Sequence, residues 1–376
     1  MMKKVNEDRL IETFLELLPI NGPSFKEKPV ADYLKRWCGK LGLEIEEDDA
    51  ARTIGGSCGN LLIRMAGESS SSPGIIFGVH LDTIQPTGDL KVVEKGGIFF
   101  SSGSTILGAD DRAGIAVLLE LAQGLIENGG SPVPLEFLFT VAEETGLLGA
   151  KAIKAGWLRA KMAFILDGGG EVGRVTNRAP YGRKLRATVT GRAAHAGVEP
   201  EAGISAIMIA SRAISRMKLG RIDENTTANI GKIEGGEAQN IIPERAEVSG
   251  EARSLNENSL KLQVEHMGKA FRAAAEELGG EVEFVSERDY PGYSIPRRSP
   301  AVELVEKAAA ALGIKFELEA SCGASDANFI NGLGIAALNL SVGYKKPHTR
   351  EENISRQDLI NTVRLARGIV RLAGKM

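Results

Sequence analysis

Four histidines occur in this chain, His80, His195, His266 and His348, and the company each keeps is informative. His80 stands two residues before Asp82 in Gly78-Val79-His80-Leu81-Asp82-Thr83, directly after the apolar run Ile75-Ile76-Phe77. Residues i and i+2 of an extended chain share a face, so imidazole and carboxylate leave the end of one strand together. A carboxylate that accepts from one ring nitrogen leaves the other for a metal. A core histidine with a polar neighbour would look the same, and the rest of the chain decides between them. Acidic residues recur in comparable places: Gly108-Ala109-Asp110-Asp111 before an apolar helix, Glu143-Glu144-Thr145-Gly146 after an apolar strand, Asp167-Gly168-Gly169 after another. His348 follows one more short strand in Pro347-His348-Thr349. Singly, the Asp pair reads as ordinary helix capping, where the dipole favours negative charge. Together, His80, Asp110, Glu144, Asp167 and His348 are an imidazole and carboxylate set without thiolate, which suits Zn²⁺, Co²⁺ or Mn²⁺. Five ligands are one short of two three-ligand sites. A bridging carboxylate supplies the missing contact and holds two ions roughly 3.5–4 Å apart. Such a pair activates water and polarises a carbonyl. The adjacent glutamates permit a division of labour, one on the metal and one as a base within about 2.6–3.2 Å of the water. The residues by themselves do not divide the ligands between two metals.

The elements that must position these groups are legible in outline. Leu10, Ile11, Phe14, Leu15, Leu17 and Leu18 recur at helical spacing, and Pro19 and Gly22-Pro23 end that helix. Ser24-Phe25-Lys26-Glu27 reads as a capping box before a second helix to about residue 41. Strands are expected over 60–65 and 75–79, joined by a serine-rich connector over 68–74. A helix over 115–126 and strands over 133–141 and 162–166 follow. Helices alternate with strands, and His or acids gather at strand ends. That is the pattern of an α/β sheet with its site beyond the strand C-termini. After about residue 178 the order becomes strand, helix, strand, strand, helix, strand, through residue 286: the split βαβ or ferredoxin-like arrangement. Helix and strand alternation then resumes over 300–373. The expected architecture is an α/β, mixed-sheet catalytic domain from 1–177 and 294–376, interrupted by a ferredoxin-like α+β domain over 178–293.

Composition narrows the function classes. The 376 residues are 43% hydrophobic and 25% charged, with a net charge of -3, so neither nucleic acid nor an anionic membrane is expected as a partner. Cys38, Cys58 and Cys322 form no CxxC pair and no disulfide framework, which fits a reducing compartment, the cytoplasm. Glu7, Asp8, Glu12 and Glu16 interrupt any apolar run behind Met1-Met2-Lys3-Lys4, so no signal peptide is expected. No window of 18 apolar residues occurs that could span a membrane.

The motifs, in this order and with the insertion where it falls, resemble the cocatalytic-zinc metallopeptidases that include peptidase T, carboxypeptidase G and the aminoacylases. His80-Leu81-Asp82-Thr83, Gly108-Ala109-Asp110-Asp111, Glu143-Glu144-Thr145-Gly146, Asp167-Gly168-Gly169, His195-Ala196-Gly197 and His348-Thr349 carry the resemblance. It covers essentially the whole chain and is nearest to the peptidase T-like members. The resemblance implies two Zn²⁺ per subunit, with Co²⁺ or Mn²⁺ as substitutes. His80, Asp110 and Asp167 would hold one ion, and Asp110, Glu144 and His348 the other. Asp82 would orient His80, and Glu143 would be the general base. His195 would stabilise the oxyanion, and Asn240 and Arg253 would bind substrate. It also implies a homodimer through the inserted lid or dimerisation domain. His266, mid-helix without a partner motif, reads as structural, and Cys322 as a buried structural thiol.

The expected activity is a two-zinc aminopeptidase of the tripeptidase kind acting on short peptides. An aminoacylase, a deacylase or a carboxypeptidase would use the same fold and metals. A non-catalytic scaffold is the alternative of another class, and the joint presence of Glu143 and all five ligands argues against it. A two-metal phosphoesterase also uses His and carboxylates, but the motif order does not match one.

Overall fold

The computed structural model describes residues 4–68 and 74–376. The basic start of the chain as far as Lys3, and residues 69–73 of the serine-rich connector, lie outside the described residues. The chain divides into two compact units. One comprises Met1–Arg178, Ser294–Ala320 and Ala324–Met376; the other comprises Ala179–Tyr293 with Ser321–Gly323.

The first unit begins with α1 (Glu7–Leu17), α2 (Lys28–Leu41), β1 (Ile45–Glu47), α3 (Ala50–Ile54), β2 (Leu61–Met65) and β3 (Ile75–His80). A hairpin of β4 (Val92–Lys95) and β5 (Ile98–Ser101) leads to α4 (Ala109–Ile126), β6 (Leu135–Thr140), α5 (Leu148–Ala152), β7 (Met162–Gly168) and β8 (Arg174–Ala179). The second unit holds β9 (Tyr181–Thr190), α6 (Ala206–Ser215), β10 (Gly220–Arg221), β11 (Thr226–Gly235), β12 (Arg245–Ser254), α7 (Glu257–Leu278) and β13 (Glu281–Tyr290). The chain then runs through β14 (Tyr293–Ser294), α8 (Pro300–Leu312), β15 (Glu317–Ala320), α9 (Ala327–Gly332), β16 (Ala336–Ser341), β17 (Asn353–Ser355) and α10 (Arg356–Ala373).

The large sheet has the order β1-β2-β6-β3-β7-β16-β8-β14, with β15 beside β8. β3 is parallel to both β6 and β7, and β7 to β16, whereas β2 runs antiparallel to β6. Every residue of β3 and β6 is buried, which is why these strands read as continuous apolar runs without alternation. Phe77 links them, stacked 6.4 Å from Phe137 and tilted 5.7 Å from Phe164 on β7. Each such pair contributes about 0.5–1.5 kcal/mol beyond its buried area. Three adjacent parallel strands therefore end side by side, at His80, Thr140 and Gly168. α4 packs against β3 and β7 with α1 and α10 beside it, and its burial on all sides explains an apolar stretch without a polar stripe.

Two local expectations are corrected. The helix expected over 115–126 begins at Ala109, but Asp110 and Asp111 inside it have non-helical backbone angles. Asp111 Oδ1 accepts from Gly114 N at 3.1 Å, so Asp111 is the capping residue and Asp110 is free of that task. The capping box at Ser24 and Glu27 does not form. Ser24 Oγ donates to Asp82 Oδ2 at 2.7 Å, and Glu27 Oε1 accepts from Phe25 N and Ala142 N. Ser24 is drawn to a carboxylate distant in sequence, and Glu27 to the N–H of neighbouring Phe25 and of distant Ala142.

The second unit is one antiparallel sheet in the order β10-β11-β12-β9-β13. Without the two-residue β10, its chain-order strands lie second, third, first, fourth, as in the split βαβ arrangement. α6 and α7 cover one face through Val189, Ala206, Ile209, Val248 and Phe271.

Candidate metal centre

The parallel ends of β3, β6 and β7 bring the acidic motifs together. His80, the last residue of β3, is 1% exposed. Its Nδ1 lies 3.1 Å from the Asp82 carbonyl oxygen and 3.4 Å from Asp82 Oδ1. Its Nε2 lies 3.0 Å from Asp110 Oδ1 and 3.6 Å from Asp167 Oδ1. One ring nitrogen is thus engaged by Asp82, and the other faces two carboxylates, as the i, i+2 spacing requires.

Asp110 is the hinge of the cluster. The Asp110–Asp111 peptide bond is cis. Asp110 Oδ1 faces His80, and its Oδ2 lies 3.4 Å from His348 Nε2. Glu144 Oε1 is 3.0 Å from the same His348 nitrogen. His348, with φ of 62°, is carried by a left-handed backbone position and keeps its side chain half exposed. Asp167 Oδ1 accepts from the Tyr344 hydroxyl at 3.1 Å. All five sequence-predicted ligands therefore meet in one place. Asp111 also comes within reach of His80 and Asp167. Its oxygens accept from His80 N at 3.3 Å and Gly114 N at 3.1 Å.

The clustered charges shift one another's proton affinities. Burial opposes a charged His80, yet hydrogen bonds to Asp110, Asp167 and Asp82 outweigh it and raise its pKa well above the usual value. Asp110 and Glu144 push His348 up to about 10. Burial, with the charges of Asp110 and Glu144, holds Asp167 up at about 6 despite His80. Burial and Asp167 raise Glu143 well above an ordinary carboxyl. Among the described residues, buried Glu144 Oε1 has no hydrogen bond of proper geometry, although His348 Nε2 is 3.0 Å away. Two donor atoms that close, aimed past one another, fit a common ion between them. The oxygen and imidazole donors fit two divalent cations, with Asp110 shared.

Several residues of this centre escaped the sequence reading. Glu352 is buried and accepts from Gly108 N at 2.7 Å and Asp110 N at 2.9 Å, one bond to each oxygen. Asp82 does more than face His80: Oδ1 accepts from Glu143 N at 3.0 Å and Oδ2 from Glu144 N at 3.1 Å. Arg112 is wholly buried, donates to Leu81 O and Ile20 O, and lends positive charge near Asp82, Asp111 and Glu27. Asp326 is buried, its carboxyl pushed up to about 7 by burial, and it meets the Thr140 hydroxyl. Tyr344 and Glu352 each stand four residues from His348, and Arg112 follows Asp111 directly, so position along the chain placed these three near a motif without showing their partners.

The other named residues lie in the second unit. His195 is exposed, and its Nδ1 accepts from Gly197 N at 3.2 Å and Val198 N at 3.1 Å. That leaves the proton on Nε2, as a donor. Ala196 N donates to Asn240 O at 2.9 Å, so the loops of His195 and Asn240 are neighbours. Arg253 donates to Glu251 at 2.9 Å and lies over the Tyr290 ring at 5.9 Å. His266 Nε2 accepts from Lys218 N at 3.2 Å, a structural bond. Cys322 is exposed, which corrects its reading as a buried thiol, and Cys38 and Cys58 are buried and free.

A mixed α/β sheet whose parallel strands end in a shared His and carboxylate cluster defines a metal-dependent hydrolase. Peptidase family M20/M25/M40 is matched over residues 76–372, and the chain belongs to that family. The uncharacterized protein YqjE of Bacillus subtilis (strain 168) is 43% identical over 371 residues, 99% of this chain and all of that protein. A tripeptidase from Staphylococcus aureus subsp. aureus Mu50 has a crystal structure that superposes with a TM-score of 0.94, at 38% identity and full coverage of both chains. The aminopeptidase PepT structure from Bacillus cereus ATCC 10987 superposes with a TM-score of 0.90, at 39% identity, over 98% of this chain and 99% of that one. Among the described residues, no helix is long and apolar enough to cross a membrane.

Proposed function

We propose that this chain is a two-zinc exopeptidase that releases the N-terminal residue of short peptides, tripeptides foremost. The observation that carries the reading is Asp110, whose two oxygens each face a different histidine while Glu144 and Asp167 flank the pair. The similarity to proteins described as a tripeptidase and an aminopeptidase supports the substrate class. His80, Asp110 and Asp167 would hold one Zn²⁺, and Asp110, Glu144 and His348 the other, with Co²⁺ or Mn²⁺ as substitutes. Bound there, the ions would supply Lewis acidity to the scissile carbonyl and would lower the pKa of the attacking water.

The chain's own residues do the rest. A Glu143 carboxylate oxygen takes a proton from the attacking water and returns it to the leaving amine. Burial raises its proton affinity toward the range a base needs. Asp82 keeps His80 turned and Glu143 in place through main-chain bonds. His195, with its Nε2 proton, is the proposed oxyanion donor. Asn240 and Arg253 are the proposed grips on the peptide backbone and carboxylate, on the strength of the motif match. We read 1–177 and 294–376 as the catalytic domain and 178–293 as a lid that also dimerises, in a cytoplasmic homodimer.

The test is metal content and tripeptide hydrolysis on one preparation, wild type beside Glu143→Ala. About two zinc per chain in both, N-terminal residue release by the wild type, and a loss of kcat beyond about 100-fold in the variant are expected. Metal in both proteins with cleavage only of N-acyl amino acids would move the activity to a deacylase. Absence of bound metal in the wild type would end the reading.

A further inference from the structure

Glu27 lies far in sequence from every motif of the metal centre, yet its side chain is fully buried against the turn that carries Glu143 and Glu144. Its Oε1 accepts from Phe25 N at 2.7 Å and from Ala142 N at 3.0 Å. Both of those residues are non-glycine with positive φ, 69° at Phe25 and 49° at Ala142. For a residue with a Cβ, the left-handed region is strained and persists only where the surroundings impose it. One carboxylate oxygen is thus bonded to the N–H of two strained residues at once.

The bonds continue along the turn. Ala142 N goes to Glu27, Glu143 N to Asp82 Oδ1, and Glu144 N to Asp82 Oδ2. Two buried carboxylates therefore receive three consecutive main-chain N–H groups. On its far side the turn closes on itself, with Gly146 N and Leu147 N both donating to Glu143 O. On its near side Glu27 and Asp82 receive the N–H groups of 142–144, Val141 N donates to Asn60 Oδ1 at 3.1 Å, and Ala142 O accepts from Leu148 N at 3.0 Å. Glu27 Oε2 is buried and, among the described residues, has no hydrogen-bond partner, so the carboxylate is held here by Oε1 alone. A buried carboxylate with an idle oxygen is costly, and helix capping does not account for it, since Glu27 makes no side-chain cap to α2.

We infer that Glu27 is a positioning residue for the Glu143-Glu144 pair: it fixes Ala142 in its left-handed conformation and thereby sets the direction in which both glutamates leave β6. The inference rests on the assignment of Glu143 as base and Glu144 as ligand. Displacement of a catalytic group by about 1 Å costs on the order of 100-fold in rate. Loss of an outer support for a metal ligand costs about 10–100-fold in metal affinity.

The experiment compares Glu27→Ala, Glu27→Gln and the double variant Glu27→Ala/Ala142→Gly with wild type and Glu143→Ala. The readouts are kcat, KM, and Zn²⁺ affinity from competition with a chelator. Glu27→Ala should lower kcat about 10–100-fold with little change in KM, and weaken Zn²⁺ binding about tenfold or more. Glu27→Gln keeps an acceptor oxygen for Ala142 N and should recover most of both. Glycine enters the left-handed region freely, so Ala142→Gly in the double variant should restore part of what Glu27→Ala loses. A general structural defect would not be mended by a second, cavity-forming change. If Glu27→Ala does not fold, Glu27→Asp, with its carboxylate drawn back by one methylene, carries the same expectations with and without Ala142→Gly. The inference is overturned if kcat and Zn²⁺ affinity stay within twofold of wild type, or if Ala142→Gly restores neither in a folded protein. Full activity in Glu143→Ala would sink the base assignment, and the Zn²⁺ affinity through Glu144 would still judge Glu27. An inactive Glu143→Ala beside an unimpaired Glu27→Ala would sink Glu27 alone.

Discussion

At the scale of single residues, the five proposed ligands are not equivalent. Asp110 faces both histidines, one with each oxygen, whereas His348 faces Glu144 and Asp110. Asp110→Asn should therefore weaken both metal sites, and His348→Ala only one. Titration with Zn²⁺ under a chelator should show two tight equivalents in wild type, about one in His348→Ala, and fewer than one in Asp110→Asn. Equal losses in the two variants would remove Asp110 from its bridging position. The cluster itself was legible, since His and acids at the ends of apolar strands stand out against a sequence with four histidines. The residues behind them were not. Glu27, Glu352 and Asp326 are single acids among 49, and their partners are main-chain N–H groups or a hydroxyl 115, 242 and 186 residues away. Side-chain spacing carries no trace of a bond to a distant backbone.

At the scale of elements, the start of α4 shows how closely the site is packed. A Cβ on Gly114 would lie 2.4 Å from Asp111 Oδ1 and 2.7 Å from Leu166 O. These atoms adjoin Asp110 and Asp167, so Gly114→Ala must push apart the helix start and the end of β7. Overpacking of this kind costs about 1–3 kcal/mol, and metal affinity should fall with it. Gly39, on α2, is the control: a Cβ there meets nothing within 4 Å. Gly39→Ala should be neutral or stabilise by up to about 1 kcal/mol, because glycine is the poorer helix former. Chemical denaturation of the two variants checks both signs. The same packing explains what the sequence could convey about elements. β3, β6 and β7 are legible because their burial demands apolar runs. β1, β14 and β15 are short, and the described β1 and β15 have no buried residue, so no such pattern marks them. The capping box was misread because Ser24 and Glu27 have the right spacing for a local bond but find better partners across the fold.

At the scale of the whole molecule, the clustered charges tie stability to pH in opposite ways with and without metal. In the metal-free protein, burial and neighbouring carboxylates raise Asp167 from 3.8 to about 6, and burial raises Asp326 and Glu352 to about 7. An acid with a raised folded pKa binds its proton more tightly when folded. The stability it contributes is complete below its unfolded value and is lost as pH climbs through the folded value. His348, raised from 6.5 to about 10, has the same sign over a higher window. Asp110 is lowered by its two histidines and has the opposite sign, but its effect falls below pH 3.8. Between pH 4 and 7 the metal-free protein should therefore lose stability, on the order of 3 kcal/mol for Asp167 alone. Zinc demands Asp167 and His348, two of these groups, unprotonated, so its contribution rises over that interval. Most other groups titrate alike in both forms. The difference between the melting curves of zinc-loaded and chelated protein should thus widen steadily from pH 4.5 to 7. A difference that stays flat across that range would mean that the buried acids and the bound metal do not compete for one site.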